Sequence, residues 1–85
     1  MSPREIVLSK VALRCLSEAG QTGLGTEALM DHVAAGTEVL LTSLERRALM
    51  GLLVERDWIY SFRDPLTGNV RWVLTSQGEL AKNAL

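Results

Sequence analysis

Four arginines are the residues of this sequence best suited to chemistry outside a core. Arg46 and Arg47 sit side by side in a helix-forming stretch, and Arg63 and Arg71 flank a run of turn-forming residues. A guanidinium is a permanently charged, planar fork of N–H donors that matches carboxylate and phosphate oxygens two at a time. Five arginines against four acids give residues 42–72 a charge of +1, whereas residues 1–41 carry −2 and the whole chain −1. The isoelectric point near 5.7 lies well below the value of about 9 common among nucleic-acid domains. Any attraction for a polyanion must therefore come from where the charges sit.

Catalytic and metal-binding patterns are missing. One cysteine, Cys15, and one histidine, His32, make neither a disulfide nor a zinc set. No nucleophile–base pair, glycine-rich phosphate loop or recognisable carboxylate pair is present, and Gly23-Leu24-Gly25 is too short a signal to count. The expectation is a protein that is not an enzyme and holds no cofactor and no metal. Cys15, within an apolar-periodic run, reads as a small buried hydrophobe, and His32 as a surface residue.

The elements that must position the arginines are legible from caps and periodicity. Ser2-Pro3-Arg4-Glu5 is an S-x-x-E capping box, with proline at the first helical position. Val7, Leu8, Val11, Ala12, Cys15, Leu16 and Ala19 follow at spacings of three and four, and Gly20 suits a C-cap. This predicts a helix over 3–19. Thr26 can cap a second helix running to Ala35, stopped by Gly36, with Leu29, Met30 and Val33 inside and Leu24 of the preceding loop tucked inward. Residues 37–41 are either a connecting loop with buried leucines or an early turn of the next helix. Thr42-Ser43-Leu44-Glu45 is a second capping box, opening a third helix with helix formers up to Asp57. At 100° per residue, Leu41, Leu44, Ala48, Leu49, Leu52 and Leu53 share one arc, taken as the core face. Ser43, Arg46, Arg47, Met50 and Val54 fall on the opposite one.

The period then changes to two. Trp58–Phe62 and Val70–Leu74 are rich in aromatic and β-branched residues, and Arg63–Asn69 between them is dense in turn chemistry, so a β-hairpin is expected. Ser76-Gln77-Gly78-Glu79 reads as a third capping box, opening a short helix.

Three helices, a hairpin and a short helix resemble the winged helix-turn-helix fold, an α/β class in which helix dominates. Leu52-Leu53-Val54-Glu55-Arg56-Asp57-Trp58-Ile59 is similar to the L-x-x-L-x-x-x-G-h-I ending of recognition helices in bacterial winged-helix regulators, with Asp57 where those have glycine. Arg63-Asp64-Pro65 with Gly68, Asn69 and Arg71 resembles the wing of the MarR family, and Leu74-Thr75-Ser76-Gln77-Gly78 its closing L-T-x-x-G. The turn between the second and third helices, Gly36 to Leu41, is longer than the family's. The resemblance covers roughly residues 22–82. It implies a small bacterial or phage transcriptional regulator that binds double-stranded DNA. Its third helix would enter the major groove and its wing would reach the minor groove or the backbone. On that carry-over Ser43, Arg46 and Arg47 face the groove, where a guanidinium reads guanine O6 and N7. Arg63 and Arg71 meet phosphates, and Thr42 and Ser43 offer backbone N–H groups at the helix N-terminus. A homodimer reading two half-sites is the expected assembly.

A plainer account of the same residues exists. Arg46 and Arg47 fit a solvated helix face paired with nearby acids, Arg63 a local turn pair with Asp64, and the two tryptophans packing residues rather than stacking platforms. Met50 and Val54 on an outward arc suit a protein partner, the alternative being a winged-helix interaction module without DNA binding. An apolar share of 47% at low net charge excludes disorder and fits one domain over 1–85. The apolar runs are far shorter than the roughly 18 residues a membrane span needs. No membrane association and a reducing, cytoplasmic setting are expected.

Overall fold

The computed structural model describes all 85 residues, in the order α1 (Pro3–Ala19), α2 (Thr26–Thr37), α3 (Ser43–Glu55), β1 (Ile59–Arg63), β2 (Val70–Leu74) and α4 (Ser76–Ala84), with one 3₁₀ turn at Gly20–Thr22. Two of the three predicted capping boxes form. The Ser2 hydroxyl accepts from the Glu5 N–H at 3.2 Å, and the Glu5 carboxylate accepts from the Ser2 N–H at 2.9 Å. Thr42 and Glu45 repeat the exchange at α3. Each box satisfies two N–H groups that a helix end leaves without partners.

Helix ends depart from expectation where a left-handed residue other than glycine takes over. α2 runs through Gly36 to Thr37, and Glu38 (φ 56°) forms the cap, its N–H and that of Val39 returning to Ala35 and Ala34. Gly36 serves packing instead: a Cβ there would stand 3.0 Å from Val11 Cγ1 of α1. α3 ends at Glu55, with Asp57 (φ 59°) in the left-handed position that the resemblance assigns to glycine. Residues 38–42 form a loop, in which Leu41 is buried and Leu40 is 93% exposed. α4 is capped by Thr75, not Ser76, through its hydroxyl on the Gly78 N–H at 2.9 Å.

Leu8, Ala12, Leu13 and Leu16 of α1, Leu29, Met30 and Val33 of α2, and Leu49 and Leu53 of α3 close one core with Leu41 and Ile59. Two faces are turned from the predicted arcs. On α1 the buried face takes in Ser9 and Leu13, while Val7 is exposed. On α3 the core centres on Leu49 and Leu53, so Leu44, expected inside, is 75% exposed. Ala48 is exposed as well, and Met50, expected outside, is half-buried against the core.

β1 and β2 pair antiparallel, with Ser61 opposite Trp72. Leu24, expected merely to tuck inward, adds a third strand position: its N–H donates to Trp72 O at 3.0 Å and its carbonyl accepts from Trp72 N–H at 2.7 Å. The hairpin is thereby fastened to the start of α2, where Trp72 Nε1 also donates to Thr26 Oγ1 at 2.8 Å.

Candidate functional site

α3 with its N-cap, and the two strands on either side of the hairpin loop, carry the expected site residues, and the structure sorts them by what already holds them. Thr42 is spent on capping. Its hydroxyl accepts from the Glu45 N–H at 3.1 Å, and its own N–H donates to Glu45 Oε1 at 3.3 Å, leaving neither for an incoming anion. Ser43 is exposed, and its hydroxyl has no partner within the chain. Arg46 is not the free guanidinium expected at the groove. Nη1 lies 3.1 Å from Asp31 and 3.6 Å from Glu27 of α2, and the side chain is only 27% exposed. Arg47, one residue on, is exposed and makes no ion pair.

The hairpin loop is built in the same way. Asp64 takes the Leu66 N–H on Oδ1 at 2.8 Å, and the Gly68 N–H returns to the Asp64 carbonyl at 2.7 Å. The Leu66 N–H above all, with further help from Thr67 and Arg71, holds the Asp64 carboxyl below its ordinary range. Arg71 is half-buried, its Nε 3.4 Å from Asp64 and its Nη1 donating to the Gly23 carbonyl at 3.3 Å. It ties the loop to the chain ahead of α2. Arg63 is exposed and faces no acid; its Nη1 donates to the Gly68 carbonyl at 2.7 Å, which holds one edge of the guanidinium at the loop. Of the four arginines, Arg47 and Arg63 are therefore available to an outside anion, and Arg46 and Arg71 are committed to inside ones.

Sequence reasoning missed the acids of α2. Glu27 and Asp31 stand four apart on one helix face, a pattern visible in the sequence, but only the crossing of α2 and α3 brings them to Arg46. Together with Ser43, Arg46, Arg47 and Met50 they line a groove of about 540 Å³ between the two helices. Its charge is mixed, not continuously positive. On the other flank of α3, Glu45 takes Arg4 Nη2 at 2.7 Å, linking the first turns of α1 and α3. That arginine, ahead of the Thr42 N–H, pulls the Glu45 carboxyl below its usual value.

Elsewhere, Cys15 lines a shallow recess with Glu18 and His32. No hydrogen bond joins the three, and burial, then the Glu18 charge, pushes the thiol up, away from a reactive thiolate. No three His, Cys, Asp or Glu side chains gather to hold a metal. No helix is long and apolar enough to cross a membrane.

The architecture matches that of a solved structure, the S. aureus MepR–DNA complex, with a TM-score of 0.66 at 19% identity, over 99% of this chain and 53% of that one. The chain has a winged helix-turn-helix fold. α2 and α3 form the helix-turn-helix, β1 and β2 with their loop the wing, and α4 the short closing helix. This chain spans about half the length of the matched one. No protein-family model matches the sequence, and no curated protein matches it.

Proposed function

We propose that the chain is a DNA-binding transcriptional regulator whose residues 1–85 form one winged-helix unit. α3 enters the major groove and the wing loop rests on the flanking backbone. The observation that carries this reading is the pair of acid-free arginines, Arg47 on the solvent side of a firmly capped α3 and Arg63 on a pinned wing loop, within a fold shared with a protein solved bound to DNA. Arg47 and Ser43 meet base edges, and Arg63 meets phosphate. Arg46 and Arg71 act from behind, holding α2 to α3 and the wing to the body. Two copies on adjacent half-sites would supply the specificity that one small unit lacks.

A polarisation titration with duplex DNA at several salt concentrations tests this. Affinity should fall as salt rises. Arg63→Ala should flatten the logarithmic slope by about 0.9, the loss of one phosphate contact. Arg47→Ala should narrow the gap between a preferred duplex and random duplex by about 1–3 kcal/mol. Binding that ignores salt, or is absent, would leave the second reading, a protein-binding module, which the exposure of Val54 (47%) favours. Met50, half-buried, adds little to such a face.

A further inference from the structure

α3 carries a glycine for which the molecule itself has no use. Gly51 lies in the middle of the helix, where glycine is less favourable than alanine. Its backbone is ordinary for a helix, and a Cβ there would meet nothing within 4 Å. Gly36 and Gly78 differ: a side chain at the first would press on Val11, and at the second would overlap the Trp58 carbonyl. Whatever needs the bare backbone at Gly51 approaches from outside.

Gly51 belongs to a straight stripe. Positions 44, 47, 51 and 54 recur at three, four and three, so Leu44, Arg47, Gly51 and Val54 share one face of α3. That face lies between two grooves, one lined by Ser43, Arg46, Met50 and Arg47 itself towards α2 and the other by Glu45, Ala48 and Leu52 towards α1. Leu44 is 75% and Val54 47% exposed. The ridge is thus apolar at both ends, flat at its centre, and carries one unpaired guanidinium.

A protein partner would have to set an acid against Arg47 as well as an apolar surface against Leu44 and Val54, because an unpaired buried guanidinium costs more than the apolar contact returns. The major groove offers both chemistries at once: guanine O6 and N7 for the arginine, and thymine C5-methyl groups for leucine and valine. Resting on the DNA-binding reading above, we propose that the Leu44–Arg47–Gly51–Val54 ridge is the base-reading surface. It selects a guanine flanked by thymines, and Gly51 lets the helix backbone come within contact distance of the base edges.

The test begins by selecting a preferred duplex from a random pool, then replacing its thymines one at a time by deoxyuridine, which removes only the methyl. At the thymines flanking the guanine, binding should weaken about three- to fivefold per methyl, the size expected for one buried methyl group. Leu44→Ala, at an exposed position, should erase that difference at one thymine and leave the fold intact. Gly51→Ala should raise the thermal midpoint by about 3–6 °C and weaken DNA binding by at least about fivefold, the cost of overfilling a fitted contact. Unchanged affinity in Gly51→Ala, or indifference to every deoxyuridine, overturns the inference while DNA binding stands. A dimer that forms without DNA and that Leu44→Ala dissociates overturns it too. No binding to any duplex removes the functional reading itself.

Discussion

At the scale of residues, ion pairing decides which arginine can act. Arg46 faces two carboxylates within 3.6 Å, so a phosphate approaching α3 must displace Asp31 or accept the repulsion of both acids. At a partly exposed site such pairs contribute little to stability, but two fixed negative charges beside a binding surface act on every encounter with a polyanion. Asp31→Asn should therefore tighten binding to random duplex by about three- to tenfold at low salt, an effect shrinking as screening increases. It should leave the unfolding midpoint nearly unchanged. Equal affinities for the variant and the parent protein at low salt would show that the α2 acids do not face the DNA. The sequence offered nearby acids as partners for Arg46, but did not show that they would be Glu27 and Asp31 of α2. The capping boxes were legible, because Ser2 with Glu5 and Thr42 with Glu45 are contacts three residues apart. The Arg46–Asp31 contact spans 15 residues and exists only through the angle at which two helices cross.

Elements show the same division between local and tertiary causes. Strand and helix spans were readable within a residue or two, whereas the rotation of each helix was not. Leu44 and Ala48 satisfy the apolar period of α3 as well as Leu49 and Leu53 do, and only the positions of α1 and α2 choose between them. Ser9 makes the point in reverse: it is wholly buried on α1 with its hydroxyl unpartnered, and no apolar pattern includes a serine. Asp57 is the position where the resemblance was most exact in geometry and least so in residue type. The joint of β1, β2 and α4 explains why a glycine stands at Gly78. The Thr75 hydroxyl donates to the Asp57 carbonyl while accepting from the Gly78 N–H, and the Thr75 N–H donates to the Trp58 carbonyl at 3.0 Å. That pins the first turn of α4 directly onto the Trp58 carbonyl. Gly78→Ala must push the two backbones apart, and should destabilise by about 1–3 kcal/mol with loss of hydrogen-exchange protection concentrated in α4 and at the start of β1. Gln77→Ala, at an exposed neighbour in the same turn, should change neither. Full protection of α4 in Gly78→Ala would mean that α4 is not seated on the Trp58 carbonyl in solution.

For the whole molecule, the three carboxylates held below their ordinary range all work at joints. Glu5 is held chiefly by the Ser2 N–H at the start of α1. Glu45 is held chiefly by Arg4 where α1 meets α3, and Asp64 chiefly by the Leu66 N–H in the wing. Each has a lower pKa folded than unfolded, so the unfolded chain takes up protons first. Their stabilisation is complete above the ordinary values of 4.5 for Glu5 and Glu45 and 3.8 for Asp64, and is lost as the pH falls through the depressed folded values. Cys15 has the opposite sign: burial raises its thiol, so its contribution is complete below the ordinary 9.0 and is lost as the pH rises through the raised folded value. The urea midpoint should accordingly be level near neutrality and fall on both sides. Glu45→Gln should lie below the parent protein at pH 7 and converge with it as the pH falls through the depressed folded value, since it removes a charge that acid would neutralise in any case. Cys15→Ala should flatten only the alkaline limb. If the Glu45→Gln and parent curves instead ran parallel down to acid pH, the Arg4–Glu45 contact would not be joining α1 to α3 in solution. The N-terminal end of α3, on which Ser43 and the ridge beginning at Leu44 depend for their position, would then be held by its capping threonine alone.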